Sequence, residues 1–271
     1  MNTISQFSQS HDEADMARRF GGVSRLYGAD CLAKLQAAHI CVVGIGGVGS
    51  WAAEAIARNA VGTITLVDLD NIAESNVNRQ LHAVDGAFGQ AKVTAMAARI
   101  RSINPHARVI EIEDFVSADN IASLLNQPYD GLVDCIDDAK AKAALIKFCK
   151  LQHIPLVTTG AAGGRLDATR IKQADLSAVT HDKLLAKVRN LLRKDYQFES
   201  GQSAKNKSAK LGVTCVYSDE EVIKPVAACE VDSPALTGLN CAGYGSSVSV
   251  TAPFGFIAAG LLLQAVLKQP G

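Results

Sequence analysis

Short runs of β-branched residues alternate with longer runs of helical periodicity between residues 39 and 160 of this 271-residue chain. We predict strands over residues 39–43, 63–67, 108–112, 131–136 and 155–159, and helices over residues 48–59, 91–103, 118–125 and 140–151. This order is typical of an α/β fold with a doubly wound, mostly parallel sheet. In such a fold, ligands bind at the carboxyl ends of the strands.

The alternation ends at Gly160, and the later residues are harder to place. We predict a basic amphipathic helix over residues 180–194 and a polar loop over residues 200–210. No clean linker separates these segments from the rest. We therefore treat residues 18–271 as one domain with a core at 39–160, a basic crossover insert at 161–215 and a C-terminal helical segment at 248–268.

Composition narrows the possible classes of protein. Hydrophobic residues make up 48% of the chain and the formal net charge is zero, which excludes a disordered chain and a generic polyanion binder. The seven cysteines are scattered and form no Cys-x-x-Cys pair, so a zinc ribbon lacks ligands. The polar N-terminus resembles neither a secretory nor a transit sequence, and we expect a cytoplasmic protein.

Residues 233–267 contain no charged side chain. A membrane span needs about 20 apolar residues. Here polar residues and a proline interrupt the apolar run, at Ser247, Ser249, Thr251, Pro253 and Gln264. We therefore expect a buried core helix and no membrane partner, with membrane association as the alternative.

A glycine-rich segment connects the first predicted strand to the helix that follows it. Its glycines are Gly44, Gly46, Gly47 and Gly49. Glycine allows a tight turn and lets backbone N–H groups approach phosphate oxygens at a helix N-terminus. The segment therefore predicts a nucleotide phosphate site, although it does not distinguish mononucleotides from dinucleotides.

Charged and amide side chains follow this segment in an order that favours ATP. Asp68 and Asp70 end the second strand, where a nicotinamide enzyme would bind ribose. Arg79 and Lys92 can neutralise the charge that develops as pyrophosphate departs, and Asp137 can hold Mg²⁺ on a triphosphate. The remaining candidates for nucleotide contact are Asn76, Asn78 and Gln80.

Five separated motifs occur in the order that is found in one superfamily. They are Gly44-x-Gly-Gly-x-Gly49, Asp68-Leu-Asp70, Ser75-Asn-Val-Asn-Arg-Gln80, Gly89-x-x-Lys92 and Cys135-Ile-Asp137. Residues 18–160 thereby resemble the adenylation domain of the ubiquitin-activating enzyme superfamily, which includes sulfur-carrier activators. The resemblance implies that Asp68 holds the ribose, that Arg79 and Lys92 bind the phosphates, and that Asp137 positions Mg²⁺–ATP.

The sequence differs from other members of this superfamily in two ways, and four further segments resemble one of its families. The chain lacks the paired zinc cysteines of bacterial sulfur-carrier activators, and no cysteine lies between Cys149 and Cys215 to form a thioester. Cys215 lies in an apolar run, which favours a buried structural thiol. Nearly the whole chain resembles the bacterial tRNA threonylcarbamoyladenosine dehydratases through residues 19–28, 155–164, 210–218 and 251–256.

That resemblance implies a homodimeric, ATP-dependent ligase or cyclase that modifies tRNA. It would adenylate the threonyl carboxylate of a modified adenosine beside the anticodon and close a ring, with release of pyrophosphate and AMP. Relatives also raise a cysteine desulfurase or sulfur acceptor as a partner, and a monovalent cation. The alternatives are an activator of a ubiquitin-like sulfur carrier, a nicotinamide-dependent oxidoreductase and an ATP-sensing scaffold.

A tRNA substrate calls for local positive charge. Residues 183–210 carry eight lysines and arginines against two acids. We predict that tRNA contacts Lys187, Arg189 and Arg193. A solvated helix face with a loop is the alternative explanation. Arg165 is a candidate to reach a substrate carboxylate or phosphate, and an ordinary surface residue is its equal alternative.

Four further side chains have weaker predicted roles. Arg19 or Arg25 is a candidate to enter a partner protomer's site, but the sequence does not choose between them. We interpret His82 as a structural histidine with satisfied hydrogen bonds, with a pocket-lining residue as the alternative, and Trp51 as a packing residue.

Overall fold

The structure, a computed structural model, describes residues 11–198, 210–223 and 244–269. Its helices are α1 (His11–Tyr27), α2 (Ala29–Ala37), α3 (Gly49–Arg58), α4 (Lys92–Ile103), α5 (Ile121–Leu124), α6 (Ala139–Leu151), α7 (Lys183–Asp195) and α8 (Val248–Lys268). Its strands are β1 (His39–Val43), β2 (Thr63–Val67), β3 (Arg108–Ile112), β4 (Gly131–Asp134), β5 (Leu156–Thr159), β6 (Ile171–Asp175) and β7 (Thr214–Ser218).

The strands form one seven-stranded sheet in the order β3-β2-β1-β4-β5-β7-β6. All neighbouring strands are parallel except β6 and β7, which pair antiparallel from Ile171 opposite Ser218 to Asp175 opposite Thr214. The chain moves outward from β1 to β3 and then returns to place β4 on the other side of β1. A crevice for ligands is expected at such a reversal, outside the carboxyl ends of β1 and β4.

Helices cover both faces of the sheet, and their apolar sides form the core. One cluster of buried side chains joins α3, α4 and α8 to the sheet, and Ile56, Met96 and Phe254 belong to it. Two further clusters join the opposite face to α5, α6 and α7. The predicted α/β class with a doubly wound, mostly parallel sheet is confirmed.

The predicted strands of the core are all present, and β1, β2 and β3 have the predicted bounds. The predicted strand over residues 131–136 ends at Asp134 instead. The side chain of Asp134 accepts the backbone N–H of Ile136 at 3.1 Å, and this contact turns the chain away from the sheet.

The predicted helix over residues 118–125 is present but shorter than predicted, because only the single turn α5, Ile121–Leu124, forms there. The Asn120 side chain accepts the Ser117 N–H at 2.8 Å, while the Ser117 hydroxyl accepts the Asn120 N–H at 3.3 Å. These reciprocal contacts hold residues 117–120 in a turn, so the helix begins only after Asn120. Three further elements, α1, α2 and β6, were not predicted from the sequence. The predicted basic helix begins at Lys183, where Asp182 caps it by accepting the Leu185 N–H at 2.8 Å.

The apolar C-terminal segment forms α8 with the predicted bounds of 248–268. Within the described residues, α8 is the helix that is long and apolar enough to cross a membrane, and 56% of its most apolar window is buried. It packs against α3, where a side chain on Gly255 would place its Cβ 2.4 Å from the Val48 carbonyl oxygen. This contact requires glycine and fits the predicted core helix.

Candidate nucleotide-binding and active site

A cavity of about 870 Å³ lies at the carboxyl ends of the parallel strands. Its wall runs from the glycine segment after β1, across the residues that follow β4, to the segment after β5 and to α7. It is therefore at the position that the strand order predicts for a ligand. A volume of this size suits a nucleotide together with part of a second substrate.

The glycine segment forms a tight turn that places the N-terminus of α3 at the cavity. Gly44 has a φ of 85°, in the left-handed region, and donates its N–H to the Val67 carbonyl at 2.8 Å. A Cβ on Gly49 would lie 1.7 Å from the Gly44 carbonyl oxygen, so α3 packs directly against the turn. The helix N-terminus and its free N–H groups suit an anion such as phosphate.

Asp68 lies beside the glycine turn with both carboxylate oxygens engaged. It accepts the Ile45 N–H at 2.6 Å and the Asp70 N–H at 2.9 Å. Burial raises the pKa of Asp68, and the nearby Lys92 ammonium together with these N–H groups opposes the rise. A carboxylate can accept more than two hydrogen bonds, so Asp68 retains capacity for ribose hydroxyls.

Lys92 and Asp70 form an ion pair on the same wall. The Lys92 Nζ lies 2.6 Å from Asp70 Oδ2 and 3.8 Å from Asp68 Oδ1. The Lys92 side chain is 6% exposed, whereas that of Asp70 is 72% exposed. The lysine is therefore fixed at the cavity by an acid that remains in water.

Arg79 is held by its own loop and by the helix after the glycine turn. Its guanidinium donates to the Ser75 carbonyl at 2.8 Å and to Asn78 Oδ1 at 3.0 Å, while its carbonyl accepts the Trp51 indole N–H at 3.0 Å. Burial lowers the pKa of Arg79, although the group stays charged at any physiological pH. Trp51 also makes an edge contact with Phe256, at 5.8 Å between ring centroids, so its predicted packing role is confirmed.

Asn78 connects this loop to α8. Its side-chain amide donates to the Ser246 carbonyl at 2.7 Å, and its carbonyl accepts the Val248 N–H at 3.2 Å. Asn78 therefore supports the site through the backbone of α8. Asn76 is buried, and its side chain accepts the Ala73 N–H at 3.1 Å, which shapes the turn before Arg79.

Gln80 and His82 are buried after the arginine. Gln80 lines the cavity, and its Oε1 has no hydrogen-bond partner among the described residues. His82 is buried as predicted, but both of its ring nitrogens lack a partner among those residues, so the prediction that its hydrogen bonds are satisfied is wrong there. Burial and the nearby Lys92 charge lower the pKa of His82 to about 4, so its ring is neutral at pH 7.

Asp137 lines the middle of the cavity after β4 and is exposed. Its backbone follows a fully buried ion pair, in which Lys142 Nζ lies 2.9 Å from Asp134 Oδ2. The Thr158 hydroxyl donates to the same carboxylate at 2.6 Å, and it lies 3.1 Å from Lys142 Nζ. The pair joins β4, β5 and α6 directly beneath the cavity.

Arg165 lines the far end of the cavity and is 1% exposed. Its Nη2 donates to the His181 carbonyl at 2.7 Å, while Nε and Nη1 have no partner among the described residues. Burial lowers the pKa of Arg165, and the carboxylates of Asp182 and Glu220 oppose the shift. This arginine is placed for a ligand inside the cavity, and it is too deeply buried to meet an RNA backbone at the surface.

The predicted basic surface is less uniform than the sequence indicates. Lys187 is exposed, and Arg193 is half-buried with an Nε that lacks a described partner. Arg189 donates to the Leu176 carbonyl at 3.1 Å and the Val179 carbonyl at 2.9 Å, which fixes the segment before α7. Lys205 and Lys207 lie outside the described residues.

The two N-terminal arginines differ in their contacts. Arg19 donates to the carbonyls of Ser102 at 3.2 Å and Ile103 at 3.0 Å, at the end of α4. Arg25 is exposed near the end of α1.

The structure adds a set of cavity residues that the sequence analysis missed. The segment after β3 contributes residues 114–119, and Phe115 is 60% exposed there. Leu69, which is 49% exposed, also lines the cavity. The end of β3 was predicted correctly, and the rule that ligands bind beyond strand ends would have found residues 114–119. The other missed residues include Lys140, Tyr196, Val222, Tyr244 and Thr251.

Cys215 is fully buried in β7, and burial raises the pKa of its thiol well above the usual range. A protonated, inaccessible thiol is a poor nucleophile, so the predicted structural role is confirmed. Cys229 and Cys241 lie outside the described residues. Within the described residues, no group of three or more His, Cys, Asp or Glu side chains could hold a metal ion.

Comparisons with known proteins agree with this geometry. A model of the ThiF family matches residues 20–270. The tRNA threonylcarbamoyladenosine dehydratase of Escherichia coli (strain K12) is 46% identical over 258 residues, which cover 93% of this chain and 94% of that protein. The crystal structure of E. coli tRNA N6-threonylcarbamoyladenosine dehydratase, TcdA, in complex with ATP matches with a TM-score of 0.82 and 44% identity. That match covers 93% of this chain and 95% of the other.

The match to a sulfur-carrier activator is shorter. The molybdopterin-synthase adenylyltransferase of E. coli is 32% identical over 128 residues, which cover 47% of this chain and 51% of that protein. The likeness to the dehydratases therefore includes the segments after β5, whereas the likeness to the adenylyltransferase covers only about half of the chain.

Proposed function

The chain belongs to the ThiF family and, within it, to the tRNA threonylcarbamoyladenosine dehydratases, and on that premise we propose how its cavity carries out an ATP-dependent dehydration. The substrate is threonylcarbamoyladenosine beside the tRNA anticodon. One observation carries the proposal. The cavity joins a phosphate site with Arg79 and Lys92 to a second end with Arg165, so it can hold ATP and a modified nucleoside together.

The nucleotide occupies the end formed by β1 and β2. The glycine turn and the α3 N-terminus bind phosphate oxygens, and Asp68 accepts hydrogen bonds from the ribose. Leu69 and Phe115 present exposed apolar surface that suits the base. Gln80 Oε1 is buried and has no hydrogen-bond partner among the described residues, so it can accept a hydrogen bond from the nucleotide.

The first chemical step transfers AMP to the substrate. A carboxylate oxygen of the threonyl group attacks the α-phosphorus of ATP, and the bond to the pyrophosphate oxygen breaks. Arg79 and Lys92 neutralise the charge that develops on the leaving pyrophosphate. The Asp70 carboxylate is largely in water, so it can release Lys92 toward a phosphate at small cost.

The second step closes a ring within the substrate. The carbamoyl group gives up one proton to solvent and attacks the activated acyl carbon, whose bond to the AMP oxygen breaks. One substrate oxygen leaves on AMP, so the nucleoside has lost the elements of one water. The nucleophile is tethered to the electrophile, which supplies much of the acceleration. No enzyme thiol is needed, in agreement with the burial of Cys215.

Magnesium fits this site as a partner of the triphosphate. Asp137 supplies one exposed carboxylate at the cavity, and Mg²⁺ commonly binds through one or two carboxylates together with phosphates. The ion would offset charge on the triphosphate. Three further features stay predictions from the resemblance: the monovalent cation, the homodimer and a sulfur-transfer partner. The cytoplasmic location stays a prediction from the cysteine pattern and the N-terminal sequence.

The test is nucleoside analysis of modified tRNA after incubation with the protein and ATP. We expect the mass of threonylcarbamoyladenosine to fall by one water, with AMP and pyrophosphate released in equal amounts. Arg79→Ala should lower the rate by about 10²–10³-fold without unfolding the protein. Pyrophosphate release that a ubiquitin-like carrier protein drives equally well would support the sulfur-carrier alternative instead.

A second proposal concerns the surface that meets the tRNA. Lys187 is exposed on α7, whose Lys183 lines the cavity, so RNA phosphates can approach along this helix. We expect Lys187→Ala with Arg193→Ala to weaken tRNA binding by about tenfold near physiological salt and to flatten its salt dependence. Arg189 is omitted from the double variant because it fixes the backbone before α7. Unchanged affinity would show that RNA binds elsewhere.

A further inference from the structure

The guanidinium of Arg165 is a buried cation with incomplete hydrogen bonding. Nε and Nη1 carry three of its five N–H bonds, and neither atom has a partner among the described residues. A buried donor without an acceptor is unfavourable, and more so when it carries a charge. A buried arginine with these unfilled donors indicates a ligand that supplies the missing acceptors.

The backbone around Arg165 is fixed, so the side chain is presented by a built structure. Gly164 has a φ of 70°, donates its N–H to the Gly245 carbonyl at 2.7 Å and accepts the Ile223 N–H at 2.9 Å. On the other side, the Glu220 carboxylate accepts the N–H groups of Leu166 at 3.1 Å and Asp167 at 3.0 Å. The residues before and after Arg165 are thus both anchored.

The surroundings of Arg165 favour a singly charged ligand over a polyphosphate. The nearby acids are occupied by backbone groups, since Asp182 accepts the Ala161 N–H at 2.8 Å and Glu220 accepts two N–H groups. They therefore form no ion pair with the guanidinium, whose one hydrogen bond among the described residues goes to the His181 carbonyl. Their negative charge nevertheless repels a second highly charged group, which a triphosphate would be.

The position of Arg165 in the fold also favours a singly charged ligand over the triphosphate. It follows β5, which is two strands from the β1 glycine turn, or about 10 Å at the usual strand spacing. β4 lies between them and carries Asp137 at its end. Arg165 and Asp137 line the same cavity, so a group held by Arg165 shares that cavity with the nucleotide.

We propose that Arg165 binds the carboxylate of the threonyl group and delivers it toward the α-phosphorus, so that it selects the modified nucleoside over unmodified adenosine. This inference rests on the proposed function. Arg165 acts here as a substrate-binding residue, and it differs in role from Arg79 and Lys92, which meet the phosphates. The ligand chemistry is that of a single carboxylate inside the cavity, because the buried side chain does not reach the surface.

The experiment compares two forms of one tRNA, with and without the threonylcarbamoyl group, in the full-length protein. In Arg165→Gln we expect an unchanged Kd for ATP and for the unmodified tRNA. The KM for the modified tRNA should rise by about 10- to 100-fold, which is the usual effect of losing a hydrogen bond to a charged group. The matched control is Arg170→Gln, because Arg170 is an exposed arginine nearby that pairs with Asp219 at 2.9 Å. It should leave all three constants unchanged.

Three results would overturn the inference. They are weaker ATP binding by Arg165→Gln, an equal loss of affinity for both tRNAs, and an unchanged KM for modified tRNA. If Arg165→Gln does not fold, Arg165→Met is measured in its place, because methionine removes the charge and the N–H donors and fills part of the buried volume. A raised KM for modified tRNA then supports the inference, and an unchanged KM overturns it. Wild-type protein that does not dehydrate the nucleoside overturns the proposed function as well, whereas an active wild type with an unaffected variant overturns this inference alone.

Discussion

Lys92 and Lys142 are both buried lysines paired with aspartates near the ends of parallel strands, yet their surroundings differ. Lys142 and Asp134 are fully buried, and the lysine meets Asp134 Oδ2, the Thr158 hydroxyl and the Asp134 carbonyl at 2.9, 3.1 and 3.3 Å. Lys92 lines the cavity, and its closest partner is the exposed carboxylate of Asp70.

The difference shows how one chemical pair serves two purposes. The three N–H bonds of Lys142 have three protein acceptors, so its charge is fully neutralised and it stabilises the strands beneath the cavity. Lys92 has a partner that water can solvate, so its ammonium is available to a phosphate. The solvent exposure of the paired aspartate therefore distinguishes Lys92, which can bind a ligand, from Lys142, which supports the fold.

The largest effect should come from breaking the inner pair. Lys142→Ala leaves the Asp134 carboxylate buried without a counter-charge, and we expect the free energy of unfolding to fall by about 3–5 kcal/mol. Urea denaturation followed by circular dichroism measures this change. Lys140→Ala, an exposed position on the same helix, is the control and should change stability by less than about 0.5 kcal/mol. A small loss in Lys142→Ala would show that water reaches Asp134.

The outer pair should respond in activity more than in stability. Lys92→Ala should slow pyrophosphate release by about 10²–10³-fold, because a charge that stabilises the leaving group is lost. Its free energy of unfolding should fall by only about 1 kcal/mol, since the Asp70 carboxylate returns to water. Steady-state kinetics and urea denaturation of the same sample give both numbers. A loss of stability as large as that of Lys142→Ala would remove the distinction between the two pairs.

The region around Lys92 should also be more sensitive to pH. The pKa of His82 is lowered to about 4 from its ordinary 6.5, so the unfolded chain binds the proton more readily than the folded one. The stability contributed by neutral His82 is therefore complete above pH 6.5 and is lost as the pH falls toward 4, by about 2–3 kcal/mol. Urea titrations of wild type and His82→Phe at pH 7 and pH 4.5 test this. Parallel losses in the two proteins would exclude His82 as the cause.

The sequence predicted the βα part of the fold well because β1 and β2 are almost entirely buried and read as apolar, β-branched runs, and because the edge strand β3 keeps Val109, Ile110 and Ile112. β1, β2 and β3 have the predicted bounds. β6 was missed because its central Lys172 and Gln173 are exposed, so it lacks that signal. The turn that shortens α5 depends on side chain to backbone contacts of Ser117 and Asn120, which a hydrophobic pattern does not report.

The candidate site was only partly visible in the sequence. Motif spacing predicted the residues at the phosphate end, and the structure brings Asp68, Lys92 and the glycine turn together. Arg165 was a candidate, but its burial and its unpaired nitrogens depend on contacts with His181 and neighbouring segments far along the chain. Lys142 had no signal at all, because a lysine in a helical run is usually solvated.

The packing of α8 against the phosphate end has a consequence for protein synthesis. Gly255 lies against the backbone of α3, and Asn78 binds the backbone just before and at the start of α8. The glycine turn and the arginine loop are made early, but the helix that packs on them is translated late. A growing chain on the ribosome therefore lacks a complete nucleotide site until α8 has emerged, so ATP can stabilise only protein whose translation has passed this helix.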